Sequence, residues 1–231
     1  MSRLLPAFDP RQVPVLPGVA STGLMPARAD RLTADGLRQV FAHPPVWTPE
    51  VLREQRFMDR SPAEAAVLVP LVQRDRLHLL LTLRTQHLST HSGQIAFPGG
   101  KVDAEDADAT AAALREAREE IGLPADHVEV LGTLPLYVTG SAFHITPVVA
   151  LVRPGFALQP NPAEVDDVFE VPLDFLMDPV NHHRHAFDWE GGRREWYSMP
   201  YQEPSVGGER ERFIWGATAG MLRNLYRLLS A

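Results

Sequence analysis

The middle of the chain carries one strongly helical segment, residues 107–121, set among short apolar runs rich in β-formers. A chain with that alternation is confined to a mixed α/β fold. The run at residues 65–72, bounded by charged turns, reads as a buried strand, and those at 77–83, 128–134, 145–152 and 168–171 are further strand candidates. Near the C-terminus, Trp215, Thr218, Met221, Leu222, Leu225 and Leu229 recur at three- and four-residue intervals, which predicts a long closing helix with one buried stripe. No internal repeat is present at any fixed period.

The central helix has two faces. Asp106 can cap its start, and Gly122 can adopt the left-handed conformation that ends it, with Pro124 beyond. Ala113, Leu114, Ala117 and Ile121 form an apolar stripe, whereas Glu116, Glu119 and Glu120 stand at i, i+3 and i+4 on another face. Clustered carboxylates repel one another, so a cation should offset them. Arg115 can pair with Glu119 at i+4, and hard divalent cations such as Mg²⁺ or Mn²⁺ favour a nest of carboxylate oxygens completed by a backbone carbonyl. The Gly99-Gly100 turn could supply that carbonyl. Taken alone, the helix reads first as a solvated acidic face, the usual meaning of clustered glutamates.

Composition narrows the function. A net charge of -7 argues against a nucleic-acid-coating protein, which needs a basic face, and any anionic substrate would need a local cation. The absence of cysteine removes disulfides, thiolate metal sites and thiol catalysis. Residues 1–20 are interrupted by Pro6, Pro10, Pro14 and Pro17 and lack the continuous apolar stretch of a signal or membrane helix, so a cytoplasmic location away from membranes is expected. Residues 1–32 read as an arm lying over the surface. A helix is expected from Thr33 through Leu37, Val40 and Phe41, and a second short one is expected to open at Thr48-Pro49-Glu50 and run through Leu52. Residues 1–60 are therefore taken as an arm and helical extension, and residues 61–231 as the main domain. Apolar surface on the extension would suit a homodimer.

The order Gly99-Gly100-Lys101, then Arg115-Glu116-Ala117-Arg118-Glu119-Glu120-Ile121-Gly122-Leu123, resembles the Nudix box, in which a glycine loop and a glutamate-bearing helix bind catalytic metals. In the family pattern a Glu stands eight positions before the Arg. Here position 107 is Ala, Asp106 lies one residue further back, and the loop carries one inserted residue. That inserted form, with Leu80-Leu81-Thr82-Leu83-Arg84-Thr85, Gly93, Phe97-Pro98-Gly99-Gly100 and the later Ile214-Trp215-Gly216-Ala217-Thr218-Ala219, is similar to the coenzyme A pyrophosphatase branch. The branch usually has Ser or Ala where Thr85 stands, and Arg where Ser89 stands.

The resemblance implies an α/β/α Nudix sandwich with a mixed sheet and a short N-terminal helical extension. It implies Mg²⁺ or Mn²⁺ as cofactor, held by Glu116, Glu119, Glu120 and the Gly100 carbonyl, with Arg115 orienting the glutamates. It further implies that Glu119 or the loop acid Glu164 activates water, and that Arg84, Lys101 and Gly99 meet a substrate of the coenzyme A or acyl-coenzyme A type. The expected products are 3',5'-ADP and 4'-phosphopantetheine. Another nucleoside diphosphate derivative, such as ADP-ribose, and a non-catalytic nucleotide-binding regulator are the rival readings.

The remaining polar features carry less. Tyr137, Phe143 and Trp215 are the aromatics nearest the motifs, and core packing is the role expected of each. His182-His183-Arg184-His185 lacks partners at zinc-ligand spacing, and His87 and His91 can line a cleft or face solvent. No Ser-His-Asp nucleophile motif or Walker loop occurs.

Overall fold

The structure, a computed structural model, describes residues 8–18, 21–58, 60–86, 93–190 and 192–231. Its elements in chain order are α1 (Ala34–Ala42), β1 (Ala63–Gln73), β2 (Leu77–Arg84), β3 (Ile95–Ala96), β4 (Gly99–Lys101), α2 (Ala109–Ile121), β5 (Val128–Thr133), β6 (Tyr137–Val138), β7 (Phe143–Val152), β8 (Val165–Pro172), α3 (Leu173–Leu176), β9 (His183–Trp189), β10 (Gly192–Ser205), β11 (Gly208–Trp215) and α4 (Gly216–Ser230).

Strand β1 organises the main sheet. Along one edge it pairs in parallel with β7; along the other it pairs antiparallel with β2 at its C-terminal half and with β4 at its N-terminal half. Alternate side chains of β1 and β7 point to opposite faces. Ala66, Leu68, Val72, Val148, Ala150 and Val152 pack under α2, while Val69, Leu71, Val149 and Leu151 join α1 and α4 on the far side. The outcome is helices on both faces of a mixed sheet, as the sequence pattern leads one to expect. Among the described residues no helix is long and apolar enough to cross a membrane.

Two expectations are corrected. Residues 48–52 form no helix: the N–H groups of Glu50 and Val51 both donate to Asn224 Oδ1, at 2.9 and 3.0 Å, and the Glu50 carboxylate accepts from Arg223 and Tyr197. These tertiary bonds to α4 and β10 outweigh a local capping preference. Residues 183–215, for which no strands were expected, form a second, antiparallel sheet in the order β11-β10-β9. Its strands mix charges with apolar residues, and pairs such as Arg184–Glu195 and Arg212–Glu203 neutralise those charges. The Gly191-Gly192 and Gly207-Gly208 pairs were the turn signals.

Residues 8–16 of the arm lie over this second sheet, whereas Met25, Ala27 and Arg31 bond to Tyr226, Met177 and Leu229. Val15 bridges His185, and Phe8 stacks on Phe187 at 4.6 Å. The apolar residues Leu37 and Val40 of α1 are buried in the chain's own core. The histidine cluster is structural. His185 contacts the Ser198 hydroxyl at 2.8 Å and the Val13 carbonyl at 2.9 Å. His182 is buried with Nε2 2.7 Å from the Leu176 carbonyl and Nδ1 2.9 Å from Arg223 Nη1.

That arrangement requires His182 to be neutral, since Nε2–H donates and Nδ1 accepts. Burial pulls its pKa down from 6.5 to about 4, and Arg223 adds to the fall, against the Leu176 carbonyl, Asp178 and Glu50. Because the folded value is the lower one, the unfolded chain takes up the proton first as pH drops. Stability from this group is full above pH ~6.5 and is lost towards pH ~4, by on the order of 3 kcal/mol. Urea midpoints should therefore fall between pH 7 and about 4.5 in the wild type and fall less in His182→Gln. An equal fall in both would place the acid sensitivity elsewhere.

Candidate active site

Helix α2 is set close to the sheet because its inward face is small. Ala112, Ala113, Ala117 and Ile121 are buried against β1 and β7, and Leu114 packs at their margin. The helix begins at Ala109 rather than residue 107, with Asp108 as its cap: the Asp108 side chain accepts from the Ala111 N–H at 2.8 Å. Gly122 ends it at φ +67°, where a side chain would be strained.

Asp106, expected as the cap, instead grips Arg115. Arg115 Nε and Nη2 donate to the two Asp106 oxygens at 3.0 and 2.9 Å, a forked geometry. The same guanidinium donates to the Lys101 carbonyl at 3.1 Å, to Glu116 at 3.0 Å and to Glu119 at 3.1 Å. One side chain thus ties the glycine strand, the following loop and the acidic helix face together. Asp106, beside Arg115 and the Asp103 N–H, has its pKa held below the usual carboxylate range.

The three glutamates occupy different environments. Glu120 is 2% exposed and accepts from the Gly99 N–H at 3.1 Å and from Arg84 Nη1 at 3.2 Å. Burial pushes its carboxyl up to about 7, opposed by Gly99 and Arg84 and reinforced by Glu116 and Glu164. Glu116 retains 17% side-chain exposure, and burial raises its pKa although Arg115 pulls it down. Glu119 is the open member, with 58% of its side chain exposed. Gly100 leaves room for Glu116, since a Cβ at that position would sit 2.4 Å from Glu116 Oε1.

Glu164 is brought to this cluster by backbone hydrogen bonds. The Asn161 N–H donates to the Glu120 carbonyl at 2.8 Å, and the Thr85 N–H donates to the Glu164 carbonyl at 3.0 Å. Asn161 Nδ2 then donates to Glu164 Oε1 at 3.1 Å. Among the described residues no three acidic or imidazole side chains already converge as a metal cage. Arg84 and Arg115 each hold carboxylate oxygens that a cation would otherwise claim.

Beside the glycine strand lies a cleft of about 370 Å³. Arg84, Gly99, Gly100 and Lys101 border it, and Phe57, Phe143, Arg194 and Trp215 supply further wall. Phe143 and Trp215 are therefore cleft residues, whereas Tyr137 is buried as expected, its hydroxyl donating to Glu54 at 2.9 Å. Arg194 and Phe57 were missed by the sequence reading, because nothing in the spacing of residues 55–60 or 190–196 marks them.

The NUDIX domain model matches residues 62–207. The chain is 42% identical over 163 residues to the uncharacterized Nudix hydrolase NudL of Enterobacter sp. (strain 638), covering 70% of this chain and 80% of that protein. It is 38% identical over 180 residues to the protein of the same description from Yersinia pestis (strain Pestoides F), covering 78% and 86%. The chain belongs to the Nudix hydrolase family. Among solved structures it is similar to the Nudix hydrolase RenU from M. smegmatis, with 26% identity, a TM-score of 0.42 and coverage of 50% of this chain and 73% of that one.

As a Nudix hydrolase it is an enzyme of the pyrophosphohydrolase class, and such enzymes generally use divalent ions such as Mg²⁺ or Mn²⁺. The departure from the Nudix box is accommodated locally: Asp106 reaches Arg115 although it stands one position further back than the family's Glu. Thr85 is buried and donates to the Ala163 carbonyl at 3.3 Å, so its extra methyl is tolerated beside the Glu164 loop. Ser89, His87 and His91 lie outside the described residues.

Gly100→Ala should displace Glu116 while leaving the sheet intact. Hydrolysis should drop by roughly 10²-fold, the scale of a misplaced reacting group, with circular dichroism unchanged. Retained activity would show that Glu116 need not lie against the glycine strand.

Proposed function

We propose that this Nudix hydrolase cleaves the pyrophosphate linkage of coenzyme A or an acyl-coenzyme A, releasing 3',5'-ADP and the (acyl-)4'-phosphopantetheine. One observation carries the substrate reading. The two stretches similar to the coenzyme A branch, residues 80–85 with 93–100 and residues 214–219, are far apart in sequence yet both contribute to the wall of the cleft, and the Thr218 hydroxyl donates to the Ile95 carbonyl at 3.1 Å. A ligand with a charged diphosphate and a long, weakly polar arm suits a cleft bordered by Arg84 and Lys101 and walled by Phe57, Phe143 and Trp215.

Glu116, Glu119 and Glu120 with the Gly100 carbonyl would hold the divalent ions. The donor set fits, because all are hard oxygens, and a bound cation would offset the burial that raises the pKa of Glu116 and Glu120. When bound, the ions would supply charge neutralisation at the phosphates and acidify water. Arg115 keeps the acidic face registered against Lys101, and Arg84 and Lys101 would neutralise the substrate's non-bridging oxygens.

For the base, Glu164 is the stronger candidate of the two acids. Arg115 occupies a Glu119 oxygen, whereas Asn161 orients Glu164 through Oε1. In the step proposed, the oxygen of water bonds to phosphorus, its proton passes to Glu164, and the bridging P–O bond breaks with its electron pair leaving on the departing phosphate. Cytoplasmic coenzyme A would be the accessible pool.

Incubation with coenzyme A and Mg²⁺ or Mn²⁺, with mass spectrometry of the products, should show metal-dependent 3',5'-ADP. ADP-ribose consumed while coenzyme A survives would retain the chemistry and overturn the substrate. Ligand bound but never cleaved would instead leave a nucleotide-binding regulator. Glu164→Gln should lower kcat by about 10²-fold or more with KM little changed. An unchanged kcat would return the role to Glu119.

A further inference from the structure

Arg194 contributes a cation to the cleft from β10, in the second sheet, separate from the arginines that hold the acidic helix. Its guanidinium carbon stands 4.6 Å from the Phe57 ring centroid and 5.5 Å from that of Trp215. Stacking on rings engages the faces of a guanidinium and leaves its in-plane N–H donors available. None of those nitrogens makes a hydrogen bond or ion pair with the described residues, none is fully buried, and the side chain lines the cleft.

The acid closest in charge to it is Glu54, and Glu54 is otherwise engaged. One of its oxygens accepts from the Tyr137 hydroxyl at 2.9 Å and the other from the Gly140 N–H at 3.0 Å. Glu54 therefore moderates the charge of Arg194 without closing on it. Burial disfavours the guanidinium's charged form, so an arginine held this way gains from an incoming anion.

We propose that Arg194, seated on Phe57 and Trp215, forms a second anion subsite that takes a phosphomonoester of the substrate, apart from the anhydride that is cleaved. A fork of free in-plane donors matches the oxygens of a terminal phosphate. The ring faces beside it suit a flat base or ribose next to that phosphate. This inference rests on the pyrophosphohydrolase reading for the placing of the anhydride at the glycine strand, and its test does not depend on turnover.

The probes are 3',5'-ADP and 5'-AMP, which differ by one phosphomonoester, titrated calorimetrically in Mg²⁺ into the full chain and into Arg194→Gln and Arg194→Lys. The wild type should bind 3',5'-ADP about ten-fold or more tightly than AMP, a span typical of one charge-assisted contact. In Arg194→Gln the ratio should fall to about one with AMP affinity within about two-fold of wild type, and Arg194→Lys should keep part of the preference. An unchanged ratio in Arg194→Gln, a parallel loss of both ligands, or no preference in the wild type would each overturn the subsite. Coenzyme A cleavage assayed alongside separates the two readings. A 3'-phosphate preference that depends on Arg194 stands even where coenzyme A is not cleaved, and then only the substrate assignment falls.

Discussion

The site depends on Arg115. Three glutamates within five residues of one helix repel one another and would destabilise that face of α2 if nothing opposed them. Arg115 answers this from within the same helix: it binds Glu116 and Glu119, and with its remaining donors reaches the Lys101 carbonyl and forks onto Asp106. The Gly99 N–H and Arg84 do the same for Glu120 from the sheet side. Charge that would disrupt an ordinary helix is thereby converted into a fixed attachment between helix, loop and strand.

That attachment works only because the neighbours are small. Alanines let α2 approach the sheet, and Gly100 leaves the Glu116 carboxylate a place beside the backbone. The backbone links from the end of α2 to residues 159–164 then carry Glu164 to the same cluster. The inserted residue before α2 is absorbed because the long Arg115 side chain still meets Asp106 from its shifted position.

Much of this was legible beforehand. The strands of the main sheet were readable from their apolar runs, α2 from its two faces and Gly122, and α4 from its apolar periodicity, because local pattern and tertiary packing agree there. The extended course of residues 48–52 was not, since Asn224 and Arg223, which hold it, are remote in sequence. Nor was the second sheet, whose charged strands are neutralised by one another. Arg194 shows the same limit at the site: its meaning comes from Phe57 and Trp215, which only the fold brings together. Asp106 was recognised as important in kind, but its partner is the helix's Arg115 and not the helix's N-terminus.

The central claim is that Glu120, buried yet surrounded by acids, belongs to a divalent-cation site assembled on α2. It is tested most directly by titrating Mn²⁺ into the wild type and Glu120→Gln and following the free ion by electron paramagnetic resonance. The expected result is binding in the wild type that tightens as pH rises through about 7, where the Glu120 proton is released, and that weakens by about ten-fold or more in a folded Glu120→Gln. Equal Mn²⁺ affinity in the two proteins, with no dependence on pH, would contradict it.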